Sequence, residues 1–127
     1  MKYCVHIIFY HKKVLLLKRH KNNPFYPNIW TPVIGKIKVH EAPKTAVLRE
    51  TYEETRLAIS QSYFLEIMIY DNDEYFIYYS KCNQKNIVIN HENYKFDFFN
   101  TNELPDNLWA IFKTKIHEIE ELTKSVF

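Results

Sequence analysis

Apolar and polar residues recur along this chain with two periods, and the period separates strands from helices. YCVHIIFY at 3–10 reads as a β-strand and VLLL at 14–17 as a second, with His11, Lys12 and Lys13 as a short hairpin-like connection. SYFLEIMIY near 62–70 and EYFIYYSKC near 74–82 read as two more strands, joined at Asp71, Asn72 and Asp73, residue types that favour turns. Ile87–Ile89 and Tyr94–Phe99 read as shorter strands. The period lengthens twice. PKTAVLRETYEETRL, from Pro43, holds good helix formers with proline where a first helical turn tolerates it. From Pro105 the chain reads as helical again, with Leu108, Ile111, Phe112, Ile116, Ile119 and Leu122 spaced by threes and fours as a packing face. KNNPFYPN at 21–28 is a loop by its asparagines and prolines, and WTPVI at 30–34 is an extended lead into Gly35. Strands that bracket one helix, with a second helix at the end, predict an α/β layered domain with a mixed sheet between helices.

Composition narrows this picture. A chain of 127 residues suits a single domain over 1–127 with a real core, and no Pro, Ser or Gly-rich run, internal repeat or low-complexity tract marks a linker. The net charge of +2 comes with lysines spread along the sequence, so no nucleic-acid partner is expected. Fourteen lysines against three arginines, with many Ile, Asn, Tyr and Phe, match the amino-acid bias of an AT-rich genome. The N-terminal apolar stretch is too short and too polar for a signal peptide, and nothing approaches a membrane span. Cys4 and Cys82 lack CxxC spacing and read as reduced thiols, consistent with a cytoplasmic protein. The histidines are scattered, and His40 and His91 read as ordinary loop residues; no pair has zinc spacing.

The chain contains one glycine, Gly35, followed at fixed spacing by Glu41, Arg49, Glu50, Glu53 and Glu54. Drawn from average usage, those six identities would coincide on the order of 10⁻⁷ times per starting position. Gly35 reads as the turn that delivers an extended segment into the helix. Glu50, Glu53 and Glu54 stand at i, i+3 and i+4, so a helix would put three carboxylates on one face. Such a face wants a counter-charge, and a hard divalent ion completed by water and phosphate oxygens supplies one. Arg49, four residues before Glu53, could brace one carboxylate or Glu41. The alternative is a solvated acidic face.

Residues 35–57, GKIKVHEAPKTAVLRETYEETRL, resemble the Nudix box. Gly35, Glu41, Arg49, Glu50, Glu53, Glu54 and Leu57 match it. Thr51 stands where a larger aliphatic is common, and Arg56 stands where the box has its second glycine, so the helix either lengthens there or exits under strain. The resemblance implies an α/β/α sandwich of the Nudix type with a mixed β-sheet. It implies metal-dependent attack of water on a nucleoside diphosphate derivative, with Mg²⁺ or Mn²⁺ on Glu50, Glu53 and Glu54 and with Glu53 or Glu50 as base. A monomer or homodimer acting on a small-molecule nucleotide is expected. Some relatives recruit a further glutamate from outside the box; in INHENYKF the aligned position is Asn90, and Glu92 is the possible extra ligand or base, or else an exposed carboxylate. Arg19 stands where relatives often keep an arginine near the phosphates, and a surface role is the alternative. Lys36, in place of another frequent glycine, either touches phosphate or points to solvent. Phe25, Tyr26 and Trp30 flank the expected site and could stack a base or pterin ring, with core packing as the other role for at least one of them. IWTPVIGKI resembles the entry to the box in bacterial dihydroneopterin triphosphate pyrophosphohydrolases, which also cleave dNTPs. A catalytically weak nucleotide-binding or regulatory module is the alternative function, supported by Arg56, Lys36 and Asn90.

Overall fold

The computed structural model describes residues 1–24 and 27–127; Phe25 and Tyr26 lie outside the described residues. Strands β1 (Lys2–Tyr10) and β2 (Lys13–Arg19) are followed by β3 (Trp30–Thr31), β4 (Val33–Lys36) and helix α1 (Pro43–Thr55). Then come β5 (Tyr63–Tyr70), β6 (Asp73–Lys81), β7 (Asn93–Asn100) and helix α2 (Ala110–Thr123). The sheet runs β3-β2-β1-β6-β5, with β4 also on β1 and β7 also on β2. It is mixed: β1 and β6 run parallel, and the other pairs are antiparallel.

The two faces of β1 explain the layers. Val5, Ile7 and Phe9 point to one side, where Phe112, Ile116 and Ile119 of α2 close the core. Cys4 points to the other, against Ala46 and Val47 of α1. A strand covered on both faces reads as an almost unbroken apolar run, which is how β1 reads. The result is an α/β/α sandwich.

One edge of β1 is shared, and this makes the site. β2 pairs with β1 only at Phe9↔Val14 and Tyr10↔Lys13, then diverges. β4 takes over the vacated edge from His6↔Val33 to Tyr3↔Lys36. Residues 30–36 therefore cross a fork, bonded first to β2 and then to β1.

Three expected elements differ. Ile87–Ile89 is not a strand: the Val88 N–H donates to the Thr55 carbonyl at 3.1 Å, pinning the segment to the end of α1, while Ile87 and Ile89 cover an apolar cluster around Ile8. α2 begins at Ala110 rather than Pro105, because Asn107 O accepts the Trp30 N–H at 3.1 Å and Leu108 bridges to Trp30. Leu122 is 59% exposed; the buried stripe runs Phe112, Ile116, Ile119, Thr123, and Leu122 falls one position off it.

Beneath α1 lies a buried histidine for which the sequence offered no role. His6 Nδ1 is 2.7 Å from Thr51 Oγ1, and Nε2 is 2.6 Å from Ser80 Oγ, whose hydroxyl donates to Gln61 O at 2.8 Å. A neutral ring fits this chain with Nε2–H donating to Ser80 Oγ, while the one Thr51 hydroxyl hydrogen is shared between His6 Nδ1 and the Val47 carbonyl 2.6 Å away, so the departure at Thr51 has partners on both sides. Burial pushes the His6 pKa from 6.5 down to about 3. The unfolded chain then binds more protons between those values, so this contribution is complete above pH 6.5 and is lost as pH falls toward 3. In urea unfolding, the parent is expected to lose up to about 1.4 kcal/mol more per pH unit across that window than His6→Gln. Equal losses would refute the assignment.

Candidate active site

α1 starts at Pro43 behind an extended Ala42 and delivers the acidic residues to the fork. Arg49 organises them. Its Nε and Nη2 grip Glu41 at 2.8 and 2.9 Å, Nη1 reaches Glu50 at 2.8 Å and Glu53 at 3.2 Å, and Nη2 also donates to Lys36 O at 3.1 Å. All five guanidinium N–H groups are thus spent. The Arg49 hydrogen bonds, with the Lys38 N–H second, hold the Glu41 carboxyl down to about 2. Lysine offers a point charge instead of a fork. Arg49→Lys is therefore expected to cost about 1–3 kcal/mol in chemical unfolding; an unchanged midpoint would show that the web is decorative.

Gly35 is not a turn. It lies within β4, opposite Cys4, and has no positive φ. Glycine is needed there for space: a Cβ would clash with the Glu50 carboxyl group and stand 2.6 Å from Glu50 Cγ. The left-handed conformations go instead to His11, Lys12, Asn28, His40, Arg56, Asp71 and Asn72. Arg56 ends the helix at φ 64°, ψ 12°, so the exit is strained rather than extended, with its guanidinium 5.3 Å from the Tyr52 ring.

Glu54 faces the other way, into the protein. It is 1% exposed; Oε1 accepts from Asn93 Nδ2 at 3.4 Å, and Oε2 is buried with no hydrogen-bond partner. Burial, then repulsion from Glu50 and Glu92, raises its pKa well above the usual carboxylate value, with Arg19 acting in the opposite direction. Burial also raises Glu50, against the pull of Arg49.

The fork opens as a cleft of about 620 Å³ lined by Arg19, Gly35, Lys36, Glu50 and Glu92, together with Tyr3, His20, Asn22, Asn23, Pro24, Ile34 and His91. A larger hollow of about 850 Å³ lies between the segment after α1 and the end of α2, and no residue from 35–56 lines it. The smaller cleft is the one that gathers acidic and basic side chains from the 35–56 segment and its neighbours. Trp30, expected at the substrate, is not in the cleft lining: it is 7% exposed and packs edge-on against Phe99 at 4.9 Å. The expected ring stacking by Phe25 and Tyr26 falls outside the described residues. Glu92 reaches the cleft through the turn in which its N–H donates to Asn90 Oδ1 at 3.1 Å. Tyr3 and His20 line the cleft without any local sequence signal, and His91 joins them despite reading as an ordinary loop residue; Asn93, set opposite Arg19 by the β2–β7 register, stands against buried Glu54 instead.

Among the described residues, no three acidic, histidine or cysteine side chains form a ready metal cage. Glu50 and Glu53 are turned onto Arg49 instead. The residues nevertheless fit a divalent ion: Glu54 Oε2 is a buried oxygen without a donor, and the Glu50 carboxylate lies close enough for its charge to raise the Glu54 pKa.

The family model for the NUDIX domain matches residues 2–119. Over 50 residues the chain is 42% identical to an m7GpppN-mRNA hydrolase, NUDT17, of Xenopus laevis, covering 39% of this chain and only 17% of that protein. It superposes on a MutT NUDIX hydrolase from Burkholderia pseudomallei with a TM-score of 0.82 at 21% identity, covering 93% of this chain and 96% of that one. The NUDIX domain of Shewanella oneidensis NrtR, complexed with ADP ribose, gives 0.80 at 18% identity, covering 96% and 87%. At these identities the solved structures speak for the fold.

Proposed function

The chain belongs to the NUDIX domain family, and from that premise we propose that it hydrolyses a phosphoric anhydride bond in a nucleoside diphosphate derivative. The observation that carries this is the meeting of Arg19 and Lys36 with Glu50 and Glu92 around one cleft, beside buried Glu54. Glu50, Glu53 and Glu54 would hold Mg²⁺ or Mn²⁺, which would neutralise the phosphate oxygens and make a water more nucleophilic. Arg19 and Lys36 bind and orient the phosphates. Glu53, the more exposed carboxylate, or Glu50 accepts the proton of the attacking water; both stand on the same helix face against Arg49. Glu41 and Arg49 fix the box from behind. The resemblance of IWTPVIGKI to the approach to the box in dihydroneopterin triphosphate pyrophosphohydrolases supports a nucleoside or pterin triphosphate giving monophosphate and pyrophosphate.

A second reading is a nucleotide-binding or regulatory module with weak turnover. The engagement of both Glu50 and Glu53 by Arg49 favours it. Incubation with NTPs, a pterin triphosphate, ADP-ribose and dinucleoside polyphosphates in Mg²⁺ or Mn²⁺ decides between them, with products identified by ³¹P NMR. Turnover by the parent that Glu53→Gln lacks supports the enzyme and names the bond cleaved. No product above that variant on any substrate leaves the binding module.

A further inference from the structure

We propose that Lys18, Lys95 and Tyr94 form a subsite, outside the cleft, for the distal nucleoside phosphate of a dinucleoside polyphosphate. This rests on the reading that the cleft itself takes a nucleoside diphosphate derivative. Lys18 and Lys95 are direct partners across β2 and β7. Like charges placed opposite one another on neighbouring strands destabilise a sheet. Here both ammonium groups are also gathered over the same two rings. Lys18 Nζ is 5.8 Å from the centres of Trp30 and Tyr94, and Lys95 Nζ is 5.4 and 5.8 Å from them. Neither lysine has an ion pair with a carboxylate among the described residues. Two neighbouring ammonium groups without a carboxylate partner suit a phosphate group.

The Tyr94 ring, flanked by the two ammonium groups, keeps a solvent-exposed part that a base can meet. Tyr94 is 41% exposed, and its hydroxyl is tied to Asn28 Oδ1 at 3.4 Å. His20 makes the link to the cleft: it lines the cleft, and its ring lies 5.4 Å from that of Tyr94. One charged pair and one open ring match a single nucleoside phosphate. Trp30, buried beneath, anchors the lysines and leaves the stacking to Tyr94.

The test compares ATP with diadenosine tetraphosphate on the parent and on Lys18→Met/Lys95→Met, a change that keeps the apolar stems. The variant is expected to raise KM for diadenosine tetraphosphate about tenfold at low salt, with kcat and the ATP parameters within about twofold. Equal effects on both substrates, or none, overturn the subsite. Should the parent turn over neither substrate, the hydrolase reading fails separately. A metal-free ¹⁵N NMR titration with diadenosine tetraphosphate then judges the subsite alone. Shifts at Tyr94 and Lys95 that vanish in the double variant uphold it, and a parent whose signals stay still overturns it.

Discussion

Glu54→Gln is expected to lower turnover on the order of 10²-fold or more while making the metal-free protein more stable. The two effects have one origin. Glu54 is buried in α1 with an oxygen that no donor reaches, beside Glu50. A buried polar atom left without a partner costs about 1–3 kcal/mol. Glutamine keeps the acceptor for Asn93 and turns an N–H₂ toward the Glu50 carboxylate, replacing repulsion with a hydrogen bond. It also removes the charge that a divalent ion requires. Thermal unfolding in EDTA should show the variant above the parent, and added Mg²⁺ should raise the parent alone. A variant less stable than the parent in EDTA, or equally responsive to Mg²⁺, would sink the idea that Glu54 is kept for binding a cation at the expense of stability.

Gly35→Ala should be nearly as damaging, by a route that can be separated. The added methyl collides with the Glu50 side chain, so either Glu50 leaves Arg49 or β4 shifts from its pairing with Cys4. Overpacking of this kind costs about 1–3 kcal/mol, and displacement of Glu50 should remove most activity. A double-mutant cycle assigns the cause. In a Glu50→Ala background the methyl has room, so the stability penalty of Gly35→Ala should largely disappear. An undiminished penalty would place the strain in the backbone, against a glycine that shows no positive φ.

Both experiments concern residues that were conspicuous in the sequence, yet the reason each matters changed on folding. The acidic helix was legible because its determinants are local: proline at the first turn, good helix formers after it, and side chains three and four apart that must share a face. The strands β1, β2, β5 and β6 were legible for the same reason, as was the turn at Asp71 and Asn72. Elements set by distant partners were not. Val88 is held by Thr55, and Asn107 by Trp30, so neither segment follows its own period.

The sequence by itself determined which carboxylates stand on one helix and that Arg49 is within reach of them, because helical geometry fixes such neighbours. Only the tertiary structure decided their inequality. Glu53 stays in solvent, while Glu54 is sealed against Asn93, a residue 39 positions away on β7. The divergence of β2 from β1 set Arg19 and Glu92 at the cleft and sent Trp30 into the core. The physical reason is that burial and charge proximity belong to strand pairing across the whole chain, and no local spacing encodes that pairing.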